Sequence, residues 1–279
     1  MTHSVQLATM PSLFISHGSP DTAIADTQAA QWLKNLANDL PRPRAIVVAS
    51  AHFEVAGGVA VSADPAPETI HDFGGFAPEL YALHYPAPGE PQLARRIAAD
   101  FQAAGFNSRA LDSRGFDHGV WVPLKLIYPD ADIPVVSVSV DPVQGPEHHF
   151  RLGQALAGLG AEGVLVIGSG SFTHNLGEAF KALRSGQREL DVPAWVAEFT
   201  DWMGDKLAAN DVEALIDYRN AAPFAARNHP TDEHLLPLYV AMGAAGAGAR
   251  ASLIHDSAEF GVLAMSMWRF DPVMAEAGA

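Results

Sequence analysis

What most constrains the fold of this chain is a set of short apolar runs, mostly rich in β-branched residues, that do not alternate with polar ones. They occupy residues 13–15, 45–49, 134–140, 164–167 and 262–270, and Gly, Pro, Asp or Ser flank them. Runs of this kind suit strands that are covered on both faces. Residues 59–62 and 251–254 are weaker strand candidates. Between the runs lie segments with apolar residues at helical spacing, at 25–40, 91–105, 148–159, 194–209 and 233–243. Strands that alternate with helices predict a single three-layer α/β/α domain around a central mixed, mostly parallel sheet. The 279 residues are expected to form one catalytic domain, with a core from about 11 to 270 and a frayed tail at 272–279. Proline clusters near Pro65 and Pro86 are too brief to separate domains.

Composition narrows the function. Hydrophobic residues make up 48% and charged residues 18%, which excludes disorder as the main state. A net charge of −15 argues against a nucleic-acid or polybasic membrane binder, because phosphate binding needs clustered Lys and Arg. The absence of cysteine removes disulfides, thiolate metal sites and cysteine nucleophiles. Any metal must then be held by nitrogen and oxygen. No basic and apolar leader opens the chain, and no apolar run approaches the ~20 residues of a membrane span. A cytoplasmic protein is expected, as a monomer or small homo-oligomer.

Histidine is unusually frequent, at 12 residues, and placement matters more than number. His17, His52 and His174 each follow an apolar run at the point where the chain leaves the sheet. Open α/β sheets place ligands just beyond the carboxyl ends of their strands, so parallel strands would bring these imidazoles together. His234 opens a helical segment, with Thr231 as its expected N-cap and Glu233 and His234 in the first turn. Imidazole suits Zn, Cu, Fe and Ni, and a site with open positions permits catalysis. Other signals are weaker. The loop Gly168-Ser-Gly170 lacks the third glycine of a dinucleotide fingerprint and the Gly-Lys-Ser/Thr of a P-loop. Its small residues are expected to let His174 and a ligand approach the backbone. Asp72-Phe73-Gly74 stands without the other kinase motifs, and no Gly-x-Ser-x-Gly elbow occurs.

Five of these segments together resemble the class III extradiol ring-cleavage dioxygenases, and within them the 4,5-DOPA extradiol dioxygenase-like subgroup. They are His17-Gly-Ser-Pro20, Ser50-Ala-His52, Thr69-Ile-His-Asp-Phe-Gly-Gly-Phe76, Gly115-Phe-Asp-His-Gly119 and Glu233-His-Leu-Leu-Pro237. Tyr85-Pro-Ala-Pro-Gly89 and the segment from Tyr128 to Pro134 resemble the subgroup too, and the likeness runs from about Pro11 to Arg269. The resemblance implies a metal-dependent enzyme that opens a catechol ring with O₂, one non-haem divalent metal per chain, and a small aromatic catechol as substrate. Fe(II) is the ion expected for activity, and Zn(II) is a second candidate for the bound ion. It implies His17, His52 and His234 as metal ligands. It implies His174 as a fourth ligand or an acid/base, and His118 as a catalytic group beside the metal.

The residues leave several alternatives open. The better-known family members complete the site with a carboxylate, which here would be Glu233. On a helix, adjacent residues point about 100° apart, so Glu233 and His234 are not expected to reach one metal. Histidine titrates near neutral pH and can take a catechol proton and return it. His174 is the first candidate for that role and His118 the second. His71, Asp72, Gly74 and Gly75 are expected to form a loop over the pocket or a plain tight turn, with positive φ at the glycines. Phe116 and Trp121 are expected to pack in the core rather than flank a substrate. Arg114 is expected on the surface rather than against a carboxylate, and His148 and His149 are expected to be exposed. The competing reading is a zinc hydrolase, with Glu233 or Glu54 as general base.

Overall fold

The computed structural model describes residues 9–184, 188 and 190–273. Its strands are β1 (Ser12–Ser16), β2 (Ala45–Glu54), β3 (Val59–Ser62), β4 (Ser108–Leu111), β5 (Val135–Val140), β6 (Val164–Gly170), β7 (Arg250–His255), β8 (Ala258–Glu259), β9 (Leu263–Ala264) and β10 (Met267–Asp271). The helices are α1 (Gln28–Leu36), α2 (Pro91–Ala103), α3 (His118–Ile127), α4 (Pro146–Gln154), α5 (Leu176–Leu183), α6 (Ala194–Ala208), α7 (Val212–Ile216), α8 (Tyr218–Ala221), α9 (Ala225–Asn228) and α10 (Leu236–Ala244). Eight strands form one mixed sheet in the order β4-β3-β5-β2-β6-β1-β10-β7. Its centre, β5-β2-β6-β1, is parallel throughout, with Val47 opposite Val166 and Leu13 opposite Ile167. Antiparallel pairings occur toward the edges, at β3 with β5, β1 with β10 and β10 with β7.

Both faces of the centre are buried, as the apolar runs require. On one face Leu13, Ile15, Ile46, Val48, Leu165 and Ile167 pack with Leu33 of α1 and Leu124 of α3. On the other, Val47, Val136, Val138, Val164 and Val166 pack with Ile97 of α2, Leu152 of α4 and Val240 of α10. Alternate residues of each strand serve opposite layers, the two-residue period of an extended chain. Phe14 faces a third cluster, built from α6 to α10. The three-layer expectation therefore holds. No helix among the described residues is long and apolar enough to cross a membrane.

Several local expectations are corrected. The run 262–270 is two strands, because Leu263–Ala264 pairs with β8 while β10 pairs with β1 and β7. The last helix starts at Leu236, after Thr231 and His234, and has Leu235 as its N-cap. Pro237 lacks an N–H and fits only the first turn, which sets that start. His149 is fully buried: Nδ1 donates to Gly145 O at 2.9 Å and Nε2 accepts from Asp141 N–H at 3.1 Å. Gly75 has positive φ at +79°, whereas Gly74 is not among the glycines that do. Strand β10 ends at Asp271, and most of the tail expected to fray, residues 274–279, lies outside the described residues.

Two glycines decide how closely the third layer approaches the sheet. A Cβ on Gly168 would lie 2.0 Å from Pro237 O, and one on Gly170 would lie 2.1 Å from His234 O. Both belong to β6, and the next residue, Ser171, donates its N–H to His234 O at 2.8 Å. The glycines thus let the segment carrying His234 rest directly on the strand. Gly170→Ala is expected to cost roughly 1–3 kcal/mol through overpacking. It should also displace His234, which a chemical-denaturation curve and a metal titration would show together.

The buried histidine generates a second expectation. Burial holds His149 at about 4, against 6.5 for a free imidazole. Between those values the unfolded chain binds a proton that the folded chain refuses, so stability falls as pH is lowered from about 6.5 toward 4. His149→Gln keeps a donor and an acceptor without titrating. Urea unfolding across a pH series should show a shallower acid loss for this variant, by up to about 3 kcal/mol. An unchanged slope would remove His149 as its source.

Candidate functional site

The parallel order β2-β6-β1 brings three strand ends to one edge. His17 follows β1 directly and its N–H bonds Gly170 O at 3.0 Å. His52 lies inside β2, which runs on past the expected strand to Glu54 with an irregular register against β5. His174 follows β6 by four residues and anchors its N–H on Asn228 O at 2.9 Å. His234 reaches the same edge from the segment laid on Gly170.

Three of these rings meet nitrogen to nitrogen. His17 Nε2 is 3.1 Å from His52 Nε2, and His52 Nε2 is 3.2 Å from His234 Nε2. The protons on the other ring nitrogens are fixed by their partners. Ser169 Oγ gives its one proton to Gly119 O, so it accepts from His17 Nδ1–H at 2.9 Å. Glu233 Oε1 accepts from His234 Nδ1–H at 3.0 Å. His17 and His234 therefore both present bare Nε2 lone pairs to His52. His52 can donate to one of them, not to both. Burial first, and then the neighbouring imidazoles, hold His17 and His234 well below the usual histidine range. The same causes take His52 to about 3. These are neutral imidazoles, the form that binds metal. Ligands about 2.1 Å from a shared ion lie roughly 3.0–3.4 Å apart at octahedral or tetrahedral angles, which the nitrogen spacing fits.

Two further groups flank the trio. His118 opens α3, where its N–H and its Nδ1–H both bond Asp72, at 2.9 and 3.0 Å. Burial alone would raise the Asp72 carboxyl, but those bonds hold it at about 2. The His118 and His52 ring centres are 3.8 Å apart. On the opposite side His174 stacks on His234, with centroids 3.4 Å apart, and its Nδ1 is 3.9 Å from Glu233 Oε1. Burial lowers His174 to about 4. Glu233 and His234 are thus neighbours at the site, because the helical geometry expected for them is absent. The carboxylate bonds the far side of the His234 ring and does not join the trio.

The histidines floor a cavity of about 310 Å³ with mainly apolar walls, among them Phe73, Phe76, Phe180 and Phe260. Phe116 and Trp121 are fully buried in the core as expected, with Trp121 Nε1–H on Ile70 O at 3.0 Å. Arg114 is tied to buried Asp117 at 2.9 Å and lies over Phe53, neither in the cavity nor freely solvated. Sequence reasoning missed the part Asp72 plays and the cavity wall formed by α5. The start of α5 was legible: Asn175 precedes Glu178 by three residues, and its side chain accepts from the Glu178 N–H at 3.0 Å.

Comparison with known proteins agrees with this layout. Residues 7–267 match the family model described as the catalytic LigB subunit of aromatic ring-opening dioxygenase. A 4,5-DOPA dioxygenase extradiol of Beta vulgaris is 42% identical over 265 residues, covering 93% of this chain and 96% of the relative. Another protein of that name, from Escherichia coli K12, is 37% identical, covering 92% and 93%. A crystal structure of an uncharacterized Escherichia coli K12 protein superposes with a TM-score of 0.76 at 33% identity, covering 93% of this chain and 99% of that one. The chain belongs to the LigB family of aromatic ring-opening dioxygenases.

Proposed function

We propose that this enzyme opens the ring of a catechol beside its two hydroxyls, with one divalent metal held by His17, His52 and His234, and that the chain acts as a single catalytic domain. The observation that supports it most is the convergence of three imidazole Nε2 atoms on the floor of an apolar cavity. His17, His52 and His234 would hold the ion, and a set of three imidazole nitrogens suits iron or zinc and is compatible with a catalytic site. Fe(II) is the proposed working ion, because zinc has no redox chemistry. When bound, the metal supplies Lewis acidity toward the catechol hydroxyls and the electron-transfer chemistry that O₂ requires.

The protein's own groups handle protons and water. His118 spends its Nδ1–H on Asp72, which leaves Nε2 as the basic atom and fixes the ring beside His52. That arrangement, a base oriented by a hydrogen-bonded carboxylate, suits removal of a catechol proton and its later return. His174 is the second candidate. Its ring is held by stacking, and its nearest carboxylate is 3.9 Å away, which reverses the order expected from sequence. His174 also remains a candidate fourth ligand through its group with Glu233 and His234. The mainly apolar walls place few polar groups around the floor, which lowers the local dielectric and strengthens electrostatic interactions there. The hydrolase reading loses support, because Glu233 is engaged by His234 and Thr231, and neither it nor Glu54 lines the cavity.

The direct test is anaerobic reconstitution with Fe(II), then air and a panel of catechols, following oxygen uptake and visible absorbance. Stoichiometric uptake with a coloured product is expected. Absence of uptake from iron-loaded protein would overturn the proposal. His52→Ala should lose metal and ring opening together, measured by metal analysis after desalting. His118→Ala and Asp72→Asn should keep the metal and lose rate, by roughly 10²-fold or more for His118→Ala. A metal-free His118→Ala protein would reassign His118 as a ligand.

A further inference from the structure

We infer that the cavity selects catechols whose ring carries an apolar substituent over catechols whose substituent ends in a carboxylate. This rests on the catechol reading above and names the substrate class within it.

The first observation is helix α5. Leu176, Phe180 and Leu183 recur at i, i+4 and i+7, which places them on one stripe. A surface helix normally turns such a stripe toward the core. Here the three residues remain 45%, 53% and 52% exposed, and all three line the cavity. Phe73, Phe76 and Phe260 complete the apolar wall. The wall is continuous with the histidine floor, so a ring held on the floor directs its substituent along α5. A volume of about 310 Å³ exceeds what a bare catechol ring fills.

The second observation is the placement of positive charge. The residues outside the described set contain no Lys or Arg, and none of the chain's 17 lines the cavity. Arg188, near the mouth, is held by Glu259 and by Asp21 Oδ2 at 2.9 Å. Lys181 pairs with Glu178 at 3.0 Å, and Arg184 is exposed at the end of α5, outside the wall. The carboxylate on the wall, Asp21, has its other oxygen engaged by Ser19. A substituent carboxylate along this wall would exchange water for apolar side chains, with Arg188 beyond Phe260 already paired to Asp21 and Glu259, a cost that apolar groups do not carry.

Two measurements decide the matter. The first compares kcat/KM of the iron-loaded enzyme on 4-alkylcatechols of increasing length, on 3-(3,4-dihydroxyphenyl)propionate and on L-DOPA. Each added methylene should raise kcat/KM about fourfold until the wall is filled. The butyl compound should exceed the propionate by roughly 100-fold. Phe180→Lys, at an exposed position, should shrink that ratio at least tenfold. Ring opening with equal or better turnover of the carboxylates would overturn the inference while leaving the dioxygenase reading intact. The second measurement needs no turnover: calorimetric binding of 4-butylphenol and 3-(4-hydroxyphenyl)propionate to the same protein. Tighter binding of the butyl compound, reduced in Phe180→Lys, supports the inference even if no catechol is cleaved. Equal or weaker binding overturns it.

Discussion

Three neutral imidazoles whose Nε2 atoms crowd together, two of them bare, are an unfavourable arrangement in a largely buried place. His52 has at most one proton to share between its two contacts. The arrangement persists because each ring is held from elsewhere. Ser169 fixes the far nitrogen of His17, Glu233 fixes that of His234, and the strand backbone carries His52. A cation at the centre would remove the conflict, since all three Nε2 atoms could then offer it a lone pair. The outer hydrogen bonds also fix which nitrogen each ring presents, the usual contribution of groups behind a metal ligand. The local order of the site is thus set by its second layer of contacts, and the sheet sets that layer.

That dependence runs through β6. Its residues face both outer layers, its end carries Ser169, Gly170 and, four residues on, His174, and it lies between the strands that deliver His17 and His52. Ser169 ties the strand to Gly119 in the first turn of α3, the helix that begins with His118. Gly170 accepts the segment of His234. One strand therefore indexes every histidine of the site except His118 directly, and His118 through one hydrogen bond. Side chains at these positions are constrained by the approach of other backbone, which explains the small residues better than ligand cradling does.

How much of this the sequence discloses follows from the range of the forces involved. Buried strands write themselves as unbroken apolar runs, so β1, β2, β5 and β6 and their terminal histidines are legible locally. Parallel order makes the convergence follow. Short or edge elements are not legible in that way: β4 has one buried residue in four, and β8 and β9 have two residues each. The start of α10 depends on Pro237, a local signal outweighed by the apparent cap at Thr231. The link between Asp72 and His118 spans 46 positions and leaves no periodic trace. His149 looked like a surface residue because helix position alone does not reveal that Asp141 and Gly145 fold over it.

The two flanking histidines show how a nearly symmetric site can acquire direction. His118 packs beside the His52 ring and His174 on the His234 ring, each near a carboxylate. Asp72 spends both oxygens on His118, binding its backbone and its ring at once. Glu233 instead gives Oε1 to His234 and Thr231, leaving His174 at 3.9 Å. The same residue types therefore do different physical work. On one side the carboxylate orients the proposed base, and on the other it stiffens a proposed ligand. α5 begins directly beyond His174 and carries its apolar residues away from the floor. In the proposed mechanism, proton handling is thereby concentrated on the α3 side, and the α5 side is left to receive the part of the substrate that does not react.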